Sequence, residues 1–236
     1  GSGHFVKIIH NGIEYGDMQL ISEAYWVMKN LLKLDNGEMS SVFSQWNEGK
    51  LRSYLIEITA NILQHKDKSG GYLIDKILDT AGQKGTGKWS VINAMELGMP
   101  LGLIATAVFE RSLSAQKELR KSAAGHFTCR RTEVVYNKSE MVGDIYSALY
   151  ASKLVSYAQG FAVLPRASDS FGWNLDLASI ARMWRGGCII RSIFLNDIAA
   201  AFERSEKPQH LLLTPYFSNE MKQLLSGWKH LVAQAM

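Results

Sequence analysis

The chain of 236 residues carries only 4 prolines and 2 cysteines. Scarce proline leaves long helices uninterrupted, because a proline inside a helix removes a donor and clashes with the preceding turn. Cys129 and Cys188 stand far apart. That spacing excludes a disulfide-stapled scaffold and a cysteine-rich metal centre, and it fits a reduced, cytoplasmic setting. In such a setting the glycosylation pattern at Asn137-Lys138-Ser139 is accidental. Long apolar runs are also lacking: the longest, Leu97 to Phe109, contains Pro100 and Thr106 and is too short to span a bilayer. No signal peptide is read at the start of the chain, and no membrane partner is expected. Neither sign of charge dominates. The formal net charge is +4 and the basic residues are dispersed, which speaks against a nucleic-acid surface and suits a small anionic ligand.

A hydrophobic fraction of 47% and a charged fraction of 20% describe an ordinary globular protein with room for a sizeable core. Apolar residues recur at helical spacing almost throughout, so the chain reads as all-α. The first helix is predicted from about Phe5 to Leu34, broken by Asp35-Asn36-Gly37. A short helix to Trp46 and one from about Leu51 to Gln64 follow, then a helical turn from Leu73 to Thr80. Helices are expected again from Ser90 and from Pro100, the latter a good first-turn residue. Ala123 to Lys138 reads as polar and irregular. Beyond it lie a long helix to about Leu164 and helices over 175–184, 189–204 and 216–236.

The opening helix carries the most chemistry. Lys7, His10, Asn11 and Glu14 recur at i, i+3, i+4 and i+7, which gathers them into a sector of roughly 100°. Val6, Ile9, Ile13 and Leu20 lie on a neighbouring sector, with Phe5, Ile8, Gly12 and Gly16 on the far side. Each glycine costs a helix about 1 kcal/mol against alanine, so close approach of another backbone is the expected return. The stripe is either a base, imidazole, amide and acid on a buried helix, or a solvated face holding a chance histidine.

An internal repeat bears on that choice. Trp46-Asn47-Glu48-Gly49-Lys50-Leu51-Arg52-Ser53 resembles Trp184-Arg185-Gly186-Gly187-Cys188-Ile189-Ile190-Arg191-Ser192 with one residue inserted, the tryptophans lying 138 residues apart. The chain thus divides into two helical units over about 5–122 and 139–236. In this register the polar stripe falls on Ile145, Ala148, Leu149 and Ser152. Folding alone does not require the stripe, since its copy lacks it.

Gly82 to Lys88 fits G-x-x-x-x-G-K, but Trp89 occupies the place of the magnesium-binding Ser or Thr, and a helical run precedes the loop in place of a strand. A nucleotide triphosphatase is excluded. What remains is a glycine-rich turn into a helix N-terminus beside Lys84, Thr86 and Lys88, a seat for a phosphate or a surface turn with solvated lysines.

Phe5-Val6-Lys7-Ile8-Ile9-His10-Asn11-Gly12-Ile13-Glu14-Tyr15-Gly16-Asp17 and Ile77-Leu78-Asp79-Thr80-Ala81-Gly82-Gln83-Lys84-Gly85-Thr86-Gly87-Lys88-Trp89 resemble two signature segments of the 6-phosphogluconate dehydrogenase family, and Met183 to Ser192 resembles a third. The resemblance spans essentially the whole chain. It implies that family's all-helical domain, with positions 1–236 forming one such domain. The sequence departs from the family in lacking a G-x-G-x-x-G dinucleotide motif and in stopping before the tail that enters the partner subunit.

The resemblance implies NADP-dependent oxidative decarboxylation of 6-phosphogluconate to ribulose 5-phosphate and CO2, by a homodimer. Lys7 would be the base at the C3 hydroxyl, neutral when substrate is bound, and then the polariser of the 3-keto group. Glu14 would protonate C1 once CO2 has left. His10 and Asn11 would hold hydroxyls and the carboxylate end; Tyr15, Lys84, Thr86 and Arg111 would hold the phosphate. No metal is implied. A different class of function also fits: a sugar-phosphate-binding or dimerisation module that performs no chemistry, because its cofactor domain is missing.

Overall fold

The computed structural model describes residues 1–127, 136–204 and 208–235. Ten α-helices occur among them, with two short 3-10 turns and no strand longer than an isolated bridge. Two long helices organise the rest. α1 (Ser2–Asn30) has 29 residues and α7 (Lys138–Ser170) has 33, and the two pack against each other. Ile9, Ile13, Tyr157, Phe161 and Leu164 are buried in the core that contains this crossing. Gly160 permits close contact there, because a Cβ at that position would stand 2.6 Å from Ile13 Cδ1.

Each long helix feeds a helical pair. α2 (Asn36–Glu48) packs on α3 (Tyr54–Gln64), and α8 (Leu177–Arg185) packs on α9 (Leu195–Phe202). α4 (Thr86–Glu96) and α5 (Gly102–Ser114) cover α1, while α10 (Pro215–Ala235) covers α7. α6 (Lys117–His126) follows α5. Helix starts follow capping chemistry. Asp35 accepts from Glu38 N while Glu38 Oε2 accepts from Asp35 N, each at 2.8 Å, a capping box that satisfies two otherwise orphaned donors. Asp176 caps α8 in the simpler way, accepting from Ser179 N at 3.1 Å.

Several boundaries differ from the sequence expectation. α1 ends at Asn30, before Leu34, and Lys33 sits at φ 53° in the turn. The 3-10 turn after α3 covers only Leu73–Lys76. α4 begins at Thr86, four residues early, whereas α5 begins at Gly102 and leaves Pro100 outside. Ala123 to His126 belongs to α6, so the segment read as irregular is partly helical; its positions 128–135, including Cys129, lie outside the described residues. α7 runs past Pro165 to Ser170. Burial of Val163, Leu164 and Ala167 outweighs the roughly 3 kcal/mol that an interior proline costs.

The segments predicted to start α3 at Leu51 and α9 at Ile189 do not begin those helices. They turn back and meet. Ser53 and Ser192 form an antiparallel bridge, with Tyr54 N donating to Arg191 O at 3.1 Å and Ile193 N donating to Arg52 O at 2.9 Å. The two similar tryptophan-containing segments are therefore joined to each other at their Arg-Ser ends.

Candidate active site

The stripe on α1 is a cluster of interacting groups. His10 is 2% exposed, its ring set edge-on against Trp184 with centroids 5.7 Å apart. Its Nδ1 lies 3.3 Å from Lys7 Nζ and 3.2 Å from Asn11 Oδ1. A neutral imidazole nitrogen can accept from a lysine ammonium or donate to an amide oxygen, but not both at once. Glu14 Oε2 stands 3.9 Å from the same nitrogen. The buried imidazole thus joins an exposed lysine on one side to a half-buried carboxyl on the other.

Environment tunes these groups. Burial first, and the charge of Lys7 second, lower the His10 pKa to about 4, so the ring is neutral near pH 7. Burial raises the Glu14 carboxyl above its usual range; Lys7 and Arg111 oppose that shift and Asp17 adds to it. A carboxyl displaced upward by burial holds its proton to higher pH, as an acid catalyst requires.

Glycines dock the loop on this helix. A Cβ at Gly87 would meet the Tyr15 ring at 2.6 Å, and one at Gly12 would meet Ser90 Oγ at the same distance. Ser90 Oγ in turn donates to Ile8 O at 2.6 Å. What approaches Gly12 and Gly16 is a serine side chain each time, Ser90 and Ser156, not the backbone expected from the sequence. Gly85 precedes α4 as its N-cap at φ 91°, a left-handed conformation that glycine adopts without steric cost. Asn11 Nδ2 donates to Thr86 Oγ1 at 3.0 Å, which ties the stripe to the first residue of α4.

Arg111, on α5, lies over the Tyr15 ring at 4.6 Å from its centroid. Its Nη1 donates to Gly82 O at 3.1 Å and its Nη2 points to Met18 Sδ at 3.6 Å. Lys7, His10, Asn11, Glu14, Tyr15, Thr86 and Arg111 are therefore brought together. Lys84 is on the loop but exposed, with no ion pair or hydrogen bond to the others among the described residues. Sequence reasoning gave no site role to Ser90, Met18 or Trp184, whose contacts with the cluster depend on packing between distant segments. It also missed Asp17, buried one turn beyond Glu14 and paired with Lys153. An aspartate continuing the polar face of an otherwise apolar helix was the available signal.

An all-helical domain thus sets a lysine, an imidazole, an amide and a carboxyl along one helix, beside a glycine loop and an arginine. Comparison gives the family. The sequence matches the family described as 6-phosphogluconate dehydrogenase, C-terminal domain, over residues 3–236, and the chain belongs to it. The decarboxylating 6-phosphogluconate dehydrogenase of Schizosaccharomyces pombe is 50% identical over 100% of this chain and 48% of its own length. The mouse protein of the same name is 51% identical over 99% of this chain and 48% of its own length. A solved structure of Plasmodium falciparum 6-phosphogluconate dehydrogenase, described in apo form and in complex with NADP+ and with 6-phosphogluconate, matches with a TM-score of 0.94 and 48% identity. It covers 98% of this chain and 50% of that one. The chain spans about half the length of the relatives it matches.

Proposed function

We propose that this chain is the substrate-binding and acid–base half of a decarboxylating 6-phosphogluconate dehydrogenase, forming ribulose 5-phosphate and CO2 with NADP as the redox partner. The observation that carries the reading is the placement of Lys7 and Glu14 on either side of His10, at 3.3 and 3.9 Å from its Nδ1. Two helical turns set their backbones roughly 10 Å apart, a span that suits a substrate several carbons long.

NADP would supply the hydride acceptor. Among the described residues there is no parallel sheet, and the sequence has no dinucleotide motif. NADP would be bound mainly outside these helices, and the steps below concern the sugar acid alone. Lys7 takes the proton of the C3 hydroxyl as C3 is oxidised, and then, as an ammonium, polarises the new carbonyl while the β-keto acid loses CO2. His10 stays neutral and its Nδ1, 3.3 Å from Lys7 Nζ, can accept from the lysine ammonium and so orient it. Glu14 delivers its proton to C1 of the enediol. Arg111, Lys84, Thr86 and Tyr15 hold the phosphate, with the guanidinium fork supplying charge-assisted bonds.

The same reading makes the protein a cytoplasmic homodimer; exposed Phe109 and Leu119 near α5 and α6 support an apolar contact between copies. It also treats 5–122 and 139–236 as a duplicated helical unit, which the bridge between Ser53 and Ser192 favours. Calorimetric titration with 6-phosphogluconate tests the site on the chain itself. Saturable binding weakened about ten- to 150-fold in Arg111→Ala, the value of a charge-assisted bond, is the expected result. Binding indifferent to both Arg111→Ala and Lys84→Ala would contradict it.

A further inference from the structure

A cavity of about 190 Å3 lies where the two similar segments meet. At roughly 30 Å3 per water it has room for a small oxyanion and its hydration. Three arginines line it, Arg52, Arg185 and Arg191, against one carboxylate, Glu57. Arg191 Nη2 is 3.8 Å from Glu57 Oε2 and its guanidinium stacks on Tyr54 at 4.2 Å. Arg52 and Arg185 have no acidic partner among the described residues. The cavity therefore carries two guanidinium charges in excess of its acid.

Unmet hydrogen-bonding capacity points the same way. Ser53 lines the cavity and is 7% exposed, yet its Oγ has no partner. Ser53 is also the residue before α3 and makes no side-chain cap to it, although a serine here normally accepts from the first helical turn. The buried Nε of Arg185 is unpartnered too. Buried polar atoms are satisfied in the great majority of cases. A helix N-terminus, an unused hydroxyl and planar guanidinium donors are together complementary to a tetrahedral oxyanion.

We infer that this cavity is a second anion site, distinct from the Lys84–Arg111 seat, that binds phosphate, either free or as the phosphate group of a small metabolite. The site straddles the bridge between Ser53 and Ser192, so an anion bound there pins the Arg-Ser ends of both segments.

The test begins from a Lys84→Ala/Arg111→Ala variant, which removes the other phosphate seat. Inorganic phosphate is titrated in, followed by calorimetry and by the arginine Nε–Hε resonances in a two-dimensional NMR spectrum. The expected result is one saturable equivalent with a shift of the Arg185 Nε–Hε peak. Adding Arg52→Gln, at an exposed side chain with no hydrogen bond or ion pair among the described residues, should weaken that binding about tenfold, the order of one charge-assisted bond. Methyl phosphate forms the second arm. Binding equal to that of inorganic phosphate assigns a free ion, and tighter binding assigns a phosphate ester. No saturable binding at tens of millimolar phosphate, or binding unaltered by both Arg52→Gln and Arg185→Gln, overturns the inference.

Discussion

Lys153 Nζ lies 2.6 Å from Asp17 Oδ2 with both side chains shut off from solvent, at 0% and 1% exposure. The pair joins α7 to α1 one turn beyond Glu14. Tyr157 adds to it, its hydroxyl 3.3 Å from Asp17 Oδ2 and donating to Ile190 O at 2.6 Å. Removing one partner of such a pair strands the other charge in the interior. Lys153→Met is expected to cost about 3–5 kcal/mol, read as a lower urea midpoint. Lys153→Met/Asp17→Asn should regain most of that loss. A single variant within 1 kcal/mol of the parent would show that the pair contributes nothing.

The glycine contact at position 12 gives a second expectation. An added Cβ would stand 2.6 Å from Ser90 Oγ and 3.1 Å from Ile104 Cγ2. Gly12→Ala should gain about 1 kcal/mol in helix propensity yet lose about 1–3 kcal/mol to overpacking. It should also displace α4, and with it Thr86, from Asn11. The net outcome is a less stable chain with weaker 6-phosphogluconate binding. Thermal unfolding beside calorimetry checks both parts.

Much of this was legible in the sequence, for local reasons. Helical spacing grouped Lys7, His10, Asn11 and Glu14, and glycine spacing marked the loop, because both signals need only neighbours along the chain. The Asp17–Lys153 pair was not legible: its partners are 136 residues apart, and no periodicity links them. The passage of α7 through Pro165 and the late starts of α3 and α9 were also beyond a local reading. In each case contact with a distant segment overrode the local preference.

His10 makes stability depend on pH. Its folded-state pKa is lowered to about 4 from 6.5, so below about pH 6.5 the unfolded chain binds a proton that the folded chain refuses. Stability must therefore fall as pH drops from about 6.5 to 4, by on the order of 3 kcal/mol from this residue. The raised carboxyl of Glu14 works in the opposite sense. The diagnostic is thus the difference between the parent and His10→Gln in urea unfolding at several pH values. The parent should lose its advantage over the variant as pH falls through that window. A constant difference would mean that His10 is not held neutral.

No turnover is expected from this chain alone with NADP and 6-phosphogluconate. Hydride transfer requires an acceptor held against the reacting carbon, and the described residues offer no dinucleotide fold. NADPH formation above trace levels in a steady-state assay would reveal a cofactor site in these helices.

The central claim is that Lys7 is the base, and it is tested most directly in a full-length enzyme that contains this chain. Lys7→Met keeps the length and apolar bulk of the side chain while removing the proton acceptor. Substrate affinity should change little, and kcat should fall at least about 10²–10⁴-fold. Glu14→Gln should instead spare the oxidation step more than the later protonation at C1. A Lys7→Met enzyme with near-normal kcat would contradict the account.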